Sequence, residues 1–123
     1  MNIFCVSNDR TFISENTAQG ATVSLVSEEV FFQGLKEKPD AIIIKTGSKK
    51  GDEEVLKKAR KTPQLCLVPV FPAAPISEYF NFLHDGIFTT YAELLKKTEI
   101  ICERVDHLNY QDMLESQDYR LLA

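Results

Sequence analysis

The stretch PDAIIIKTG, residues 39–47, delivers Lys45 from the end of a short apolar run into a glycine-bearing loop. An ammonium group there can hold an anionic ligand, pair with Asp9, or hydrogen-bond to Ser7, Asn8 or loop carbonyls. It can also simply reach solvent along its apolar stem. The following Gly47-Ser48-Lys49-Lys50-Gly51 stands where a phosphate-cradling loop would, after a strand and before a helix. Its lysines precede the second glycine, so it lacks the Gly-x-x-x-x-Gly-Lys-[Ser/Thr] order, and a flexible surface loop is the simpler reading. Other reactive residue types are sparse. His84 and His107 are the only histidines, and neither belongs to a Ser-His-Asp or Cys-His arrangement. His84 falls near an expected helix C-terminus, where a cation suits the dipole. Cys5, Cys66 and Cys102 lie in apolar runs without metal-ligand spacing, which reads as packing in a reducing compartment. No carboxylate pair recurs at catalytic spacing. The expectation is a non-enzymatic chain with no metal and no cofactor.

These side chains need elements to position them. The chain has 123 residues, 44% hydrophobic and 26% charged, with a formal net charge of −4. That suits one soluble domain with one core and argues against a basic nucleic-acid footprint. The lysines and arginine between 49 and 61 are interrupted or flanked by acids, as on a solvated helix face. No apolar run is long enough for a membrane span, and no signal peptide is apparent; a cytoplasmic setting is expected. Residues 2–6 read as a strand, followed by a Ser7-Asn8-Asp9 cap and a helix to about residue 18. Residues 22–26 form a second strand, and Ser27 caps a helix with Val30, Phe31 and Leu35 at helical spacing. Residues 41–44 form a third strand, apolar on both faces and therefore central in a parallel sheet. A loop over 47–51 leads to a helix over 52–61. A fourth strand is expected over 65–70 with Pro69 at its end, a helix over 75–84, a fifth strand over 86–89, and a long helix from Tyr91. The alternation defines a doubly wound α/β fold: a five-stranded parallel sheet, flanking helices and an extended C-terminal helix. Its ligand site belongs at the carboxyl ends of the central strands, where Lys45, Ser7 and Asn8 fall.

Five β/α units of this length resemble the receiver domains of bacterial two-component response regulators. PDAIII resembles the lead into the family's third strand, TPQLCLV its fourth strand, and HDGIFTTYAELL its fifth strand and final helix. The resemblance covers nearly the whole chain and implies a flavodoxin-like fold. It also implies where a receiver's phosphorylation machinery would fall. The magnesium-holding acidic pair falls on Ser7 and Asn8, with Asp9 the only nearby carboxylate, and the phosphoacceptor falls on Lys45. The hydroxyl position falls near Val68 or Pro69, and the lysine position near Thr90. Every position departs from the family's pattern. An ammonium offers no nucleophilic oxygen, and magnesium requires carboxylate oxygens. The resemblance therefore implies a pseudo-receiver whose Lys45 puts a fixed positive charge where the family has a switchable negative one. A small flavodoxin-like domain holding an anionic ligand such as a nucleotide at the same strand ends is the alternative.

Two further patterns bear on partners. Tyr79, Phe82 and Tyr91 extend the apolar surface beside the expected fourth helix, a candidate interface. Leu94, Thr98, Ile101, Val105 and Leu108 follow spacings of four, three, four and three, a short heptad seam. Residues 1–108 are expected to form the receiver-like domain. Residues 109–123 would extend its last helix toward an output domain, a transcription factor or second-messenger enzyme, absent from this chain. Apolar residues at the terminus fit a chain cut from a longer protein. The expected partners are a second copy and that output domain, with no nucleic acid and no membrane.

Overall fold

Three consecutive isoleucines have only one economical place in a small domain, a strand covered on both faces. In the computed structural model, which describes residues 2–8 and 21–103, Ile42, Ile43 and Ile44 are fully buried in β3 (Ala41–Lys45). Burying each stabilises the fold by about 1.5–3 kcal/mol. β3 lies between β1 (Asn2–Ser7) and β4 (Val70–Pro72), and β2 (Thr22–Val26) pairs with the outer edge of β1. All pairings are parallel, with Val6 beside Ile44, Ser7 beside Lys45, and Ile44 beside Pro72. The sheet order is β2-β1-β3-β4.

Because side chains alternate along a strand, the sheet has two apolar faces. Phe4, Val6, Ile42, Ile44 and Val70 pack against Phe31 of α1 (Glu28–Gln33) and Val55, Leu56 and Ala59 of α2 (Lys49–Lys61). Ile3, Cys5, Ala41, Ile43 and Phe71 pack with Phe88, Tyr91 and Leu94, the last two on α3 (91–103). Helices on both faces of a parallel sheet make this a doubly wound α/β fold. Ser27 caps α1 as expected, its hydroxyl accepting from the Val30 N–H. Val30 does not share the inward face, being 49% exposed, whereas Phe31 is buried.

Four expectations about the elements are corrected. The first is the helix expected from 52, which begins at Lys49, so most of the expected 47–51 loop is its first turn. The second concerns the fourth strand, which is Val70–Pro72 rather than 65–70. Residues 63–67 are turns closed by N–H donation from Leu65 to Thr62 O and from Val68 to Leu65 O, which tuck Leu65 and Val68 into the core and leave Leu67 exposed. The third is the sheet itself, four-stranded among the described residues rather than five-stranded. Asp85 N–H donates to Val70 O and Phe88 N–H to Pro72 O, so the segment does lie beside β4. It makes no regular ladder because β4 has no backbone donor left on that edge. The Val70 N–H donates to the Asp85 carboxylate, and Pro72 has no N–H. The two donors are three residues apart and their acceptors two, with Gly86 at φ 128° between them. That offset is a bulge, not a strand register.

The helix expected over 75–84 is also replaced, by a 3₁₀ turn at Glu78–Phe80. Its bonds run i→i+3: Phe80 N–H to Ser77 O, Asn81 N–H to Glu78 O, and Leu83 N–H to Phe80 O. The three-residue repeat sets Ser77, Phe80 and Leu83 in one row. That row meets Glu53, Lys57 and Arg60 of α2, spaced i, i+4, i+7. The Glu53 carboxylate accepts from the Ser77 hydroxyl (3.0 Å), the Lys57 ammonium lies 5.1 Å from the Phe80 ring centre, and Arg60 Nε donates to Leu83 O (2.6 Å).

Candidate functional site

The strand order reverses between β1 and β3, so the crevice of a doubly wound fold opens at their carboxyl ends. Ser7 and Lys45 are the terminal residues of those strands and are paired in register. Both follow the period-two face of Cys5 and Ile43, so they project to the side covered by α3. Ser7 is fully buried and Lys45 half-buried, while Asn8 is exposed. The topology thus brings Ser7 and Lys45 together; Asp9 lies outside the described residues.

The corrected fourth strand changes what stands on the other side of Lys45. Ala73, whose N–H donates to Ile44 O, takes the place assigned to Val68. Val68 is buried at the opposite, amino end of the sheet, with its carbonyl accepting from Arg60 Nη1 at 2.7 Å. Ala73 therefore stands at the carboxyl end of β4 beside the end of β3, and the shift of the fourth strand along the chain could not be read from TPQLCLV alone. Thr90 is exposed and caps α3, its hydroxyl accepting from the Glu93 N–H at 3.2 Å.

The loop after Lys45 is occupied by its own side chains. The Asp52 carboxylate accepts from the Thr46 N–H (2.9 Å) and the Thr46 hydroxyl (2.6 Å), and the Ser48 hydroxyl accepts from the Gly51 N–H (3.0 Å). Asp52 is buried, so the first turn of α2 already carries an internal anion against its dipole. An added phosphate would meet that carboxylate. Thr46 and Asp52 were not singled out from sequence, although Ser48 followed by an acid four residues on is a legible capping signal.

Elsewhere the polar groups do structural work. Arg60 Nη2 donates to Asp85 (3.0 Å) and Nη1 to Cys66 O (3.1 Å). His84 does not end a helix. Its Nδ1 accepts from the Gly86 N–H (3.1 Å), and its pKa is lowered from the ordinary 6.5 by burial, with Asp85 acting oppositely and Arg60 adding to the lowering. The Tyr91 phenol is pushed up to about 12 by burial and by the neighbouring Cys5. The hydroxyls of Tyr91 and Thr98 find no hydrogen-bond partner among the described residues.

The interface candidates separate. Tyr79 and Phe82 are exposed, whereas Tyr91 and Leu94 are buried against the domain's own sheet and offer nothing to a partner. Thr98 is fully buried and Ile101 packs on the same cluster, so the described half of the seam is intramolecular. Val105 and Leu108 lie outside the described residues, as do the expected helix to about residue 18 and the extension at 109–123. Among the described residues no cluster of His, Cys, Asp or Glu could hold a metal ion, and no helix is long and apolar enough to cross a membrane. A groove of 660 Å³ runs along β1 and β2, lined by Asn2, Phe4, Thr22, Ser24, Val26 and Asp40 among others.

No family model matches the chain, and no curated protein matches it. Among solved structures, it is similar to the phosphorylated cyanobacterial phytochrome response regulator RcpA, with 20% identity and a TM-score of 0.47 over 81% of this chain and 87% of that one. The fold class is set by the chain's own topology. A parallel sheet of order β2-β1-β3-β4 with helices on both faces is a doubly wound, flavodoxin-like α/β fold.

Proposed function

We propose that the chain is a receiver-like signalling module that is not phosphorylated at its strand-end position and acts through protein–protein contact. In this reading it assembles with a second copy and relays to an output domain, a transcription factor or second-messenger enzyme, through its last helix. Lys45 carries the reading. It closes the central strand at the topological switch point, in register with Ser7 and beside Ala73, where phosphoryl transfer would need a carboxylate nucleophile and a magnesium site. Cys5, Cys66 and Cys102 lie in apolar runs without metal-ligand spacing, which suits the reducing cytoplasm in which such a module works.

The test is incubation of the full chain with acetyl phosphate and magnesium, followed by intact mass and peptide mapping. The expected result is no phosphoryl adduct on any carboxylate near the strand ends. A stoichiometric aspartyl phosphate there would overturn the reading. A Lys45→Ala variant separates a locking role from a solvated one: unchanged stability and unchanged self-association would exclude the lock.

A further inference from the structure

The two edges of the sheet are finished differently. β4 offers no further ladder: its three residues are buried, its Val70 N–H is taken by Asp85, Pro72 has no N–H, and the segment from Asp85 to Phe88 lies against it. β2, at the opposite edge, pairs with β1 alone among the described residues. Thr22 is exposed and Val23, Ser24 and Leu25 are half-buried, whereas β1 beyond Asn2 and β3 as far as Ile44 are buried throughout. An edge strand presents a row of backbone donors and acceptors, and native edges ordinarily blunt it with a lysine, a proline or a bulge. TVSLV has no charge and no proline, and its register with β1 is unbroken from Thr22 to Val26. On the α1 side the groove along β1 and β2 opens over Thr22 and Ser24, so α1 does not overhang the edge there. What such an edge fits is another strand, because an extended backbone repeats complementary groups at the same spacing.

We propose that β2 pairs antiparallel with β2 of a second copy about a two-fold axis through Ser24, joining the two sheets into one. This names the surface for the self-association proposed above and rests on that part of the reading. The strand's own sequence selects a second copy. In the register centred on Ser24, Thr22 stands beside the partner's Val26, Val23 beside the partner's Leu25, and Ser24 beside the partner's Ser24. Opposed residues share a face, because they lie an even number of positions apart in the strand. The outer pairs are β-branched or aliphatic and the central pair is hydroxyl to hydroxyl, combinations that stabilise neighbouring strands. Ala21 and Ser27 continue the pairing, so no charge is set opposite its like; Glu28 and Glu29 belong to α1, and Glu37 and Asp40 to the connection into β3. The contact is isologous and closes at two copies. With the β4 edge blocked, no strand edge among the described residues is left for further growth. Five residues a side make a small contact, and the expected Kd is roughly 10–100 μM.

Light scattering of the full chain up to about 1 mM tests this, well above the expected Kd. The wild-type mass is expected to double with concentration and stop there. Ser24→Glu sets two carboxylates against each other at the axis, in a groove that already holds Glu37 and Asp40, and is expected to associate at least about tenfold more weakly. Adding an equal amount of Ser24→Lys to it is expected to restore a dimer with one chain of each, read by native mass spectrometry. Only a contact that places residue 24 beside its own copy gives that rescue. Circular dichroism checks that both variants fold, and wild-type amide exchange gives a reading that needs no variant: alternate amides of residues 22–26 gain protection as concentration rises. A dimer that Ser24→Glu leaves intact, a mixture without the mixed dimer, or a dimer with unchanged exchange in β2 would overturn the edge contact and leave self-association standing. A chain still monomeric at about 1 mM would overturn both. The phosphodonor result is read separately, so either failure is distinguishable from failure of the unphosphorylated reading.

Discussion

Replacing Arg60 by methionine keeps most of the apolar stem and removes a guanidinium that donates to Leu83 O, Val68 O, Cys66 O and the Asp85 carboxylate. Those acceptors belong to two segments that carry little regular structure, the turns before β4 and the bulged segment after the 3₁₀ turn. Without the guanidinium, Val68 O and Leu83 O lose their charged donor, and Asp85 keeps only the Val70 N–H. Breaking a buried ion pair costs about 3–5 kcal/mol, and an exposed one about 0–1 kcal/mol. Arg60 and Asp85 side chains are 18% and 25% exposed, so water can replace part of the loss. We expect about 3 kcal/mol, a large share of the stability of a small domain. For a chain of 123 residues that lowers the melting temperature by roughly 10 °C. The assay is urea denaturation followed by tryptophan-free probes, far-ultraviolet dichroism and tyrosine absorbance, with thermal melts in parallel. Arg60→Lys keeps the charge but not the fork, and is expected to lose about 2 kcal/mol. Asp85→Asn keeps a carbonyl for the Val70 N–H and is expected to lose about 1 kcal/mol. A loss below about 1 kcal/mol for Arg60→Met, the level of an exposed pair, would refute the claim that this clasp holds the segment.

Gly51→Ala sets two effects against each other: helix propensity favours alanine by about 1 kcal/mol, but a Cβ would stand 2.6 Å from Thr46 Oγ1 and 2.8 Å from Ser48 Oγ. We expect net destabilisation of about 1–3 kcal/mol, and a rise in the urea midpoint would show that the cap yields freely. Tyr91→Phe is expected to stabilise the fold by about 1 kcal/mol, because it deletes a buried hydroxyl without a described partner; a clear loss in the same urea assay would mean that the hydroxyl is satisfied. Since the Tyr91 pKa is raised from 10.0 to about 12 in the fold, the unfolded chain loses that proton first. Its contribution is therefore intact below pH 10 and lost as pH rises through about 12, which the midpoint at alkaline pH will show and Tyr91→Phe will reduce. His84 has the opposite form. Its folded pKa is lowered from 6.5, so the unfolded chain protonates first and stability falls as pH drops below 6.5. His84→Gln should flatten the midpoint between pH 7.5 and 5.5 relative to the wild type, and an unchanged slope would count against it.

Local pattern was sufficient for some elements and not for others. The unbroken apolar run before Lys45 could only be a central strand, because no exposed edge would tolerate it, and Ser27 marked the start of α1 through its own hydroxyl. The stretch TPQLCLV has strand composition, yet it folds as turns. Its Leu65 and Val68 reach the core three residues apart, and the actual pairing partner of β3 begins after Pro69. Whether β4 could accept a fifth strand depended on donors. Pro72 has none, and the Val70 N–H is taken by Asp85, fifteen residues away in the chain. No window of sequence contains both facts as a structural statement.

The heptad-like spacing on α3 illustrates the same limit from the other side. A helix that lies on its own sheet and a helix that lies on a partner both repeat apolar residues every three to four positions. The sequence by itself therefore determined that Tyr91, Leu94 and Thr98 share one face, and that Lys45 ends a buried strand at a switch point. Only the tertiary structure decided that this face is spent inside the domain, that Ala73 rather than Val68 neighbours Lys45, and that Tyr79 and Phe82 remain outside. Periodicity fixes which side chains point together, whereas what they point at is set by residues far along the chain, here Glu53, Lys57, Arg60 and Asp85.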